Sequence, residues 1–263
     1  MANGPSRAGA PALFDANALL GPLPRRPHGA PEDVSALLSV MDDYGIDRAL
    51  VAHTYAKWHH PAEGNARLLR EIAGHERLAP CWVVMPAATG EVPPERDQVA
   101  RLLDAGARAA RLCSTAHRLS LEPFEVAPLL AALAERRVPL LLDCDNVHWS
   151  EPRPWRFVAW AALTHPDLPL VLLREPQANL RTLAPLLERC PNVVVETSYF
   201  QAHDGIALLA ERFGPHRLVF GTGLPVWDPA LPITGLTYAG LSPEALAAVG
   251  GGTLTALLDG CPA

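Results

Sequence analysis

Four side chains able to move protons or hold charge close short apolar runs: Asp143 ends PLLLD, Arg174 ends LPLVLLR, Glu196 ends NVVVE and His53 ends RALVAH. A carboxylate or imidazole so placed can act as a general acid or base, and a guanidinium can grip a carboxylate through two hydrogen bonds or stabilise an oxyanion. Asp143 is the leading acid–base candidate and Arg174 the charge stabiliser, with Glu196 and His53 as further catalytic candidates. Other run ends and the connections after them carry Asp15, Asn17, Arg111, Asp145, His148 and Thr222, with Tyr55, Trp58, Trp82, Tyr199 and Trp227 as aromatic walls. A few converging polar groups among apolar walls are what a small-molecule pocket needs. Any one of these residues also fits a turn cap or a packed loop, so it is their convergence at run ends that points to a site. Cys113 or Cys144 with His117 or His148 would make a nucleophile pair, but neither cysteine has a recognisable signature, and Ser114 and Ser198 lack a nucleophile-elbow context. The adjacent His59 and His60, with Glu63, fit a solvated loop better than a metal site, because neighbouring histidines before Pro61 diverge in direction.

The elements that would position these residues alternate along the whole chain. Apolar runs lie at residues 12–17, 48–53, 78–85, 109–113, 139–143, 168–174, 192–196 and 217–221, and amphipathic stretches at 31–44, 65–74, 96–105, 126–135, 155–164, 180–189, 205–213 and 242–249. Runs such as VLL and VVV are apolar at consecutive positions, as in parallel strands covered on both faces. Eight consecutive strand–helix units predict an α/β protein built as a single (β/α)8 barrel, with an open doubly wound sheet as the other arrangement. The expected organisation is a flexible segment over 1–11, one barrel domain over 12–258 and a short tail over 259–263. In a barrel, the strand ends listed above share the face that carries chemistry.

In order and spacing, these segments resemble the amidohydrolase-related (β/α)8 barrels, a branch that includes metal-dependent hydrolases and aromatic-acid decarboxylases. LFDANALLG resembles the first-strand motif, MDDYGIDRALV the second segment, GNARLLREIAGHERLAPCWVVMP the third and AGARAARL the fourth. VPLLLDCD, THPDLPLVLLREP, CPNVVVETS and RLVFGTGLP resemble the fifth to eighth, so the likeness runs from Leu13 to Leu258. The resemblance implies metal ligands at the positions held here by Asn17, Leu19, Asp143, Arg174 and Gly223. Leu19 and Gly223 offer no side-chain ligand, Asn17 offers only a neutral carbonyl, and Arg174 puts a permanent cation where a metal would sit. The expectation is therefore no metal and no other cofactor, with Arg174 among Asp15, Asp143 and Glu196 as an ionic hub. The expected activity is metal-independent acid–base chemistry on a small carboxylate- or carbonyl-bearing molecule: ester or lactone hydrolysis, decarboxylation, or a cyclisation or isomerisation. Amide hydrolysis fits less well, since water without a metal keeps its high pKa. The alternative is a catalytically silent barrel that binds a ligand or a partner protein.

Composition narrows the partners. The chain has 263 residues, 49% of them apolar and 19% charged, and a formal net charge of −6. That balance, without a basic run, excludes an electrostatic nucleic-acid or membrane-surface role and points to a small-molecule substrate. The five widely spaced cysteines predict free thiols and a cytoplasmic protein, and the apolar runs are too short to span a bilayer. The family likeness adds a possible homodimer. Lys57 is the only lysine, read here as part of a bias toward arginine.

Overall fold

Consecutive Leu and Val residues form strands that must be covered on both faces, and the chain does this by closing its sheet into a ring. The computed structural model describes residues 11–145 and 153–261. The expected flexible N-terminus (save Pro11), His148 and Trp149 lie outside the described residues. The strands are β1 (Phe14–Leu20), β2 (Arg48–His53), β3 (Leu78–Pro80), β4 (Trp82–Val84), β5 (Ala110–Cys113), β6 (Leu140–Asp143), β7 (Leu170–Leu172), β8 (Val193–Glu196) and β9 (Leu218–Val219). All paired strands are parallel, in the orders β1-β2-β3 and β4 to β9. β3 and β4 are one barrel strand interrupted at Cys81, where the hydrogen-bond partner changes: Cys81 N–H donates to Val51 O (2.8 Å) and Trp82 N–H to Ala109 O (3.0 Å). The ring closes between β9 and β1 through Ala16 N–H to Phe220 O (2.9 Å), Gly223 N–H to Asn17 O (3.0 Å) and Leu19 N–H to Leu224 O (2.9 Å). These bonds exclude the open sheet.

Between the strands lie α1 (Val34–Tyr44), α2 (Thr54–Trp58), α3 (Pro61–Glu71), α4 (Glu95–Asp104), α5 (Pro123–Glu135), α6 (Trp155–Thr164), α7 (Leu180–Arg189), α8 (Gly205–Phe213), α9 (Ala230–Thr237), α10 (Pro243–Ala247) and α11 (Thr253–Asp259). Local signals set several boundaries. Asp33 caps α1 by accepting from Ala36 N–H, and Gly45 at φ 73° ends it. Two helices were not apparent from sequence pattern. α2 follows β2 without a break, and ALPITGLT of α9 carries a proline and a glycine that disfavour helix in isolation.

Alternation along each strand sorts side chains into two layers. Leu50, Ala52, Cys81, Val83, Leu141, Val171, Leu173, Val194 and Val219 fill the barrel interior. Val51, Val84, Leu112, Leu140, Leu142, Leu172 and Val195 pack outward under the helices. With period two, Arg111, Asp143 and Glu196 fall on the inward set at the top of their strands. In β1 the register shifts between Asp15 and Ala18, a bulge that re-aims Asp15 and Asn17.

Candidate functional site

The barrel mouth is organised around Asp143, which is fully buried and accepts hydrogen bonds from three cationic side chains. Its Oδ2 takes Lys57 Nζ at 2.8 Å, Arg111 Nε at 2.9 Å and Arg111 Nη2 at 2.5 Å, while Oδ1 takes Arg174 Nη2 and, at 3.0 Å, its near neighbour Asp145 N–H. Arg174 lies past the end of β7 with φ 55°, a left-handed backbone that brings its side chain onto Asp143. Lys57 also pairs with Asp145, and Arg174 Nη2 stands 3.9 Å from the same carboxylate.

A second acidic pair sits beside this hub. Asp15 accepts from Asn17 N–H (2.8 Å), Thr222 N–H (2.9 Å) and the Thr222 hydroxyl. Glu196 accepts from Asn17 Nδ2 (3.0 Å), Arg174 N–H (3.1 Å), Ser198 Oγ (2.9 Å) and Ser198 N–H. A shared device appears here: at the β1 bulge and at or just past the ends of four other strands, the side chain takes the amide of the residue two positions on. The pairs are Asp15 with Asn17, His53 with Tyr55, Asp143 with Asp145, Glu196 with Ser198, and Thr222 with Leu224.

The environments of the carboxyl groups drive them apart. Burial alone would push Asp143 up, but the charges of Arg111, Lys57 and Arg174 override it and hold this carboxyl well below the usual range. A group held so low keeps its negative charge near neutrality, and both its oxygens are engaged by the surrounding cations. Burial pushes both Glu196 and Asp15 up, against their hydrogen bonds, and the Asp15 charge raises Glu196 further.

These shifts set a pH dependence. The depressed Asp143 stabilises the fold above the ordinary carboxylate range, and this contribution is lost only as pH falls through its own low value. Glu196 and Asp15 take up protons on folding, so their contribution is most favourable below about pH 4 and declines as pH rises through their raised values. The expected Tm is highest in mildly acidic solution, and Glu196→Gln flattens the decline on the alkaline side. A Tm that climbs steadily to about pH 8 in the unaltered protein would contradict this assignment.

Of the residues singled out by sequence, Asp15, Asn17, Arg111, Asp143, Asp145, Arg174, Glu196 and Thr222 come together. His53 does not. It falls on the outward phase of β2, where its Nδ1 accepts from Tyr55 N–H (2.9 Å) and its Nε2 lies 3.4 Å from Glu71 of α3. Burial lowers its pKa. Tyr55 and Trp58 line a cavity of about 450 Å³ with His53, His59, Arg67 and the turn at Pro22–Pro24, and Arg67 lies over the Tyr55 ring at 3.8 Å. Trp82 also points outward, into a separate apolar pocket beside α3 and α4, so it is not a wall of the mouth. Tyr199 and Trp227 stack on each other with centroids 5.5 Å apart. Burial pushes the Cys113 thiol up to about 12, which removes it as a nucleophile, and His117 Nε2 is 3.3 Å from Ala56 O. No disulfide joins the five cysteines.

Lys57 is the member of this charged cluster that sequence reading missed. It sits on α2 rather than at a strand end, is 1% exposed, and lies 5.0 Å from the Trp58 ring centroid. Its singularity in the chain was the available signal: one lysine kept where all other basic side chains are arginine.

The donor set does not fit the metal that the family likeness implies. Leu19 belongs to the apolar interior, Asn17 donates to Glu196, and the oxygens of Asp143 are taken by permanent cations that would repel a divalent ion. Among the described residues no group of three or more His, Cys, Asp or Glu side chains is arranged to hold a metal. Among them, too, no helix is long and apolar enough to cross a membrane.

Comparison with known proteins adds ancestry. A family model described as amidohydrolase matches residues 24–259. A search of curated proteins returned no match. Among solved structures, an uncharacterised TIM-barrel protein from Bordetella bronchiseptica aligns with a TM-score of 0.74 at 15% identity, covering 95% of this chain and 99% of its own. The 5-carboxyvanillate decarboxylase LigW of Sphingomonas paucimobilis aligns with a TM-score of 0.70 at 16% identity, covering 94% and 99%. A dihydroxybenzoic acid decarboxylase from a Polaromonas species, with bound manganese and the inhibitor 2-nitroresorcinol, gives 0.72 at 12% identity over 96% and 98%. At these identities the likeness is one of fold.

Proposed function

Starting from the fact that this chain belongs to the amidohydrolase family, we propose that it is an enzyme that performs acid–base chemistry on a small carboxylate- or carbonyl-bearing molecule without a metal. The observation that carries this reading is the convergence of Lys57, Arg111 and Arg174 on Asp143, where the family likeness places a metal. Fixed cations in a site sealed from water can hold an anionic group and stabilise developing negative charge, the electrostatic part of what a Lewis acid supplies. Asp143 orients the three cations. Glu196 is the proton carrier, because its raised pKa keeps a carboxylic acid available nearer neutrality. Ser198, hydrogen-bonded to Glu196, also lines a cavity of about 470 Å³ with Thr197, Phe200 and Tyr238.

Of the reactions this set supports, decarboxylation is favoured by the structural neighbours named as decarboxylases. The cations would hold the substrate, the carbon–carbon bond would break with release of carbon dioxide, and the Glu196 proton would pass to the carbon left behind. Hydrolysis of an ester or lactone and a proton-transfer isomerisation draw on the same groups. The test is turnover of hydroxybenzoates and related acids, followed by carbon dioxide release. Glu196→Gln is expected to lower kcat by about 100-fold or more while leaving substrate affinity within a few-fold. Metal stoichiometry by elemental mass spectrometry is expected to fall far below one equivalent, with turnover unchanged by chelator. Turnover that requires a stoichiometric metal would overturn the proposal.

A second reading is favoured by one observation: Lys57, Arg111 and Asp143 are sealed at 1% exposure or less and already satisfy one another. A barrel with such a self-paired mouth would bind a ligand without transforming it. Saturable binding of a carboxylate with no turnover in any reaction class would select that reading.

A further inference from the structure

Around the hub, one charged group differs from the rest. Lys57, Arg111, Asp143 and Arg174 have side chains exposed by 7% or less, whereas the Asp145 side chain is 24% exposed. Asp145 follows β6 with φ 54°, and its N–H is tied to Asp143 Oδ1 at 3.0 Å, which turns its carboxylate back over the cations. There it pairs with Lys57 Nζ and stands 3.9 Å from Arg174 Nη2. We propose that the Asp145 carboxylate is an internal stand-in for the ligand's own carboxylate, held on Lys57 and near Arg174 until an incoming small carboxylic acid displaces it.

The chemistry favours exchange at this position. Asp143 is held by three cations and cannot leave without stranding them in the interior. The Asp145 side chain is partly exposed where that of Asp143 is fully buried, so its departure costs less desolvation, and its backbone amide keeps it anchored on Asp143 when its carboxylate leaves Lys57. An external carboxylate that takes its place restores the same charge balance with the same donors, whereas a neutral isostere cannot. The inference rests on the reading above, in which these cations hold a carboxylate, and adds that the protein competes for its own site.

Calorimetric titration of benzoate, with benzamide as neutral control, tests this on the full chain. Asp145→Asn keeps the size of the side chain and its amide anchor but gives up the competing charge, so benzoate is expected to bind about ten-fold more tightly than to the unaltered protein. Benzamide affinity is expected not to change. Arg174→Met added to Asp145→Asn is expected to abolish the gain. Benzoate affinity that is unchanged or weaker in Asp145→Asn, while still needing Arg174, overturns the stand-in role and leaves the cation site intact. A gain that survives Arg174→Met places the anion elsewhere and overturns both. If Asp145→Asn is too unstable to titrate, its thermal midpoint is expected to rise on adding benzoate and not benzamide; a midpoint indifferent to both overturns the proposal.

Discussion

Replacing Asp143 with asparagine is expected to cost about 3–5 kcal/mol of folding stability, among the largest single effects available in this molecule. The neutral amide would leave Lys57, Arg111 and Arg174 in the interior without the carboxylate that holds all three. For a chain of this size that corresponds to a fall in Tm on the order of 10 °C. Arg174→Ala is expected to cost less, because Asp143 keeps Lys57 and Arg111. The two variants, compared by urea unfolding, therefore rank the hub. Asp143→Asn with an unchanged unfolding curve would remove it as the organising charge.

Gly64→Ala is expected to be nearly as disruptive although it touches no charge. Gly64 lies on α3 against α2, and a Cβ there would run into the backbone N and Cα of Ala56. Backbone cannot swing aside as a side-chain end can, so the helices must separate, at a cost of about 1–3 kcal/mol. The residue after Ala56 is Lys57, so separation withdraws its ammonium from Asp143 and Asp145. Because the chain has one lysine, acylation followed by peptide mapping reads a single side chain. Lys57 is expected to be protected in the unaltered protein and modified in Gly64→Ala. Native stability with Lys57 still protected would show that α3 tolerates the methyl group.

The barrel was legible because its signal is redundant. Consecutive apolar residues in LLL and VVV demand cover on both faces, and the helices over 155–164, 180–189 and 205–213 have in the structure the bounds their pattern predicts. Side-chain direction was less legible. Period two could have placed His53 outward, since Leu50 and Ala52 take the inward phase of β2, and the same count puts Trp82 outward beside inward Val83. Arg174 escapes any such count. By alternation after inward Leu173 it should face the helices, and only its left-handed backbone brings it to Asp143. Lys57 was hidden for a different reason: its helix is five residues long, too short for amphipathic periodicity to register. The protonation roles were illegible too, because Asp143 and Glu196 both end an apolar run and only their neighbours separate them.

The five turns in which a side chain takes the amide two residues on have an evolutionary consequence. The donor in each is main chain, so the side chains of Asn17, Tyr55, Asp145, Ser198 and Leu224 carry none of the burden of holding the turn. The turns themselves exclude only proline at these positions, since it has no N–H to give, but Asn17 and Ser198 also hold Glu196 through their side chains, Tyr55 lies away from the mouth and Leu224 is buried, which leaves Asp145 as the mouth position free of those duties. Ligand preference can thus drift at Asp145 while the turn that places Asp143 stays, because that turn is held by the main chain.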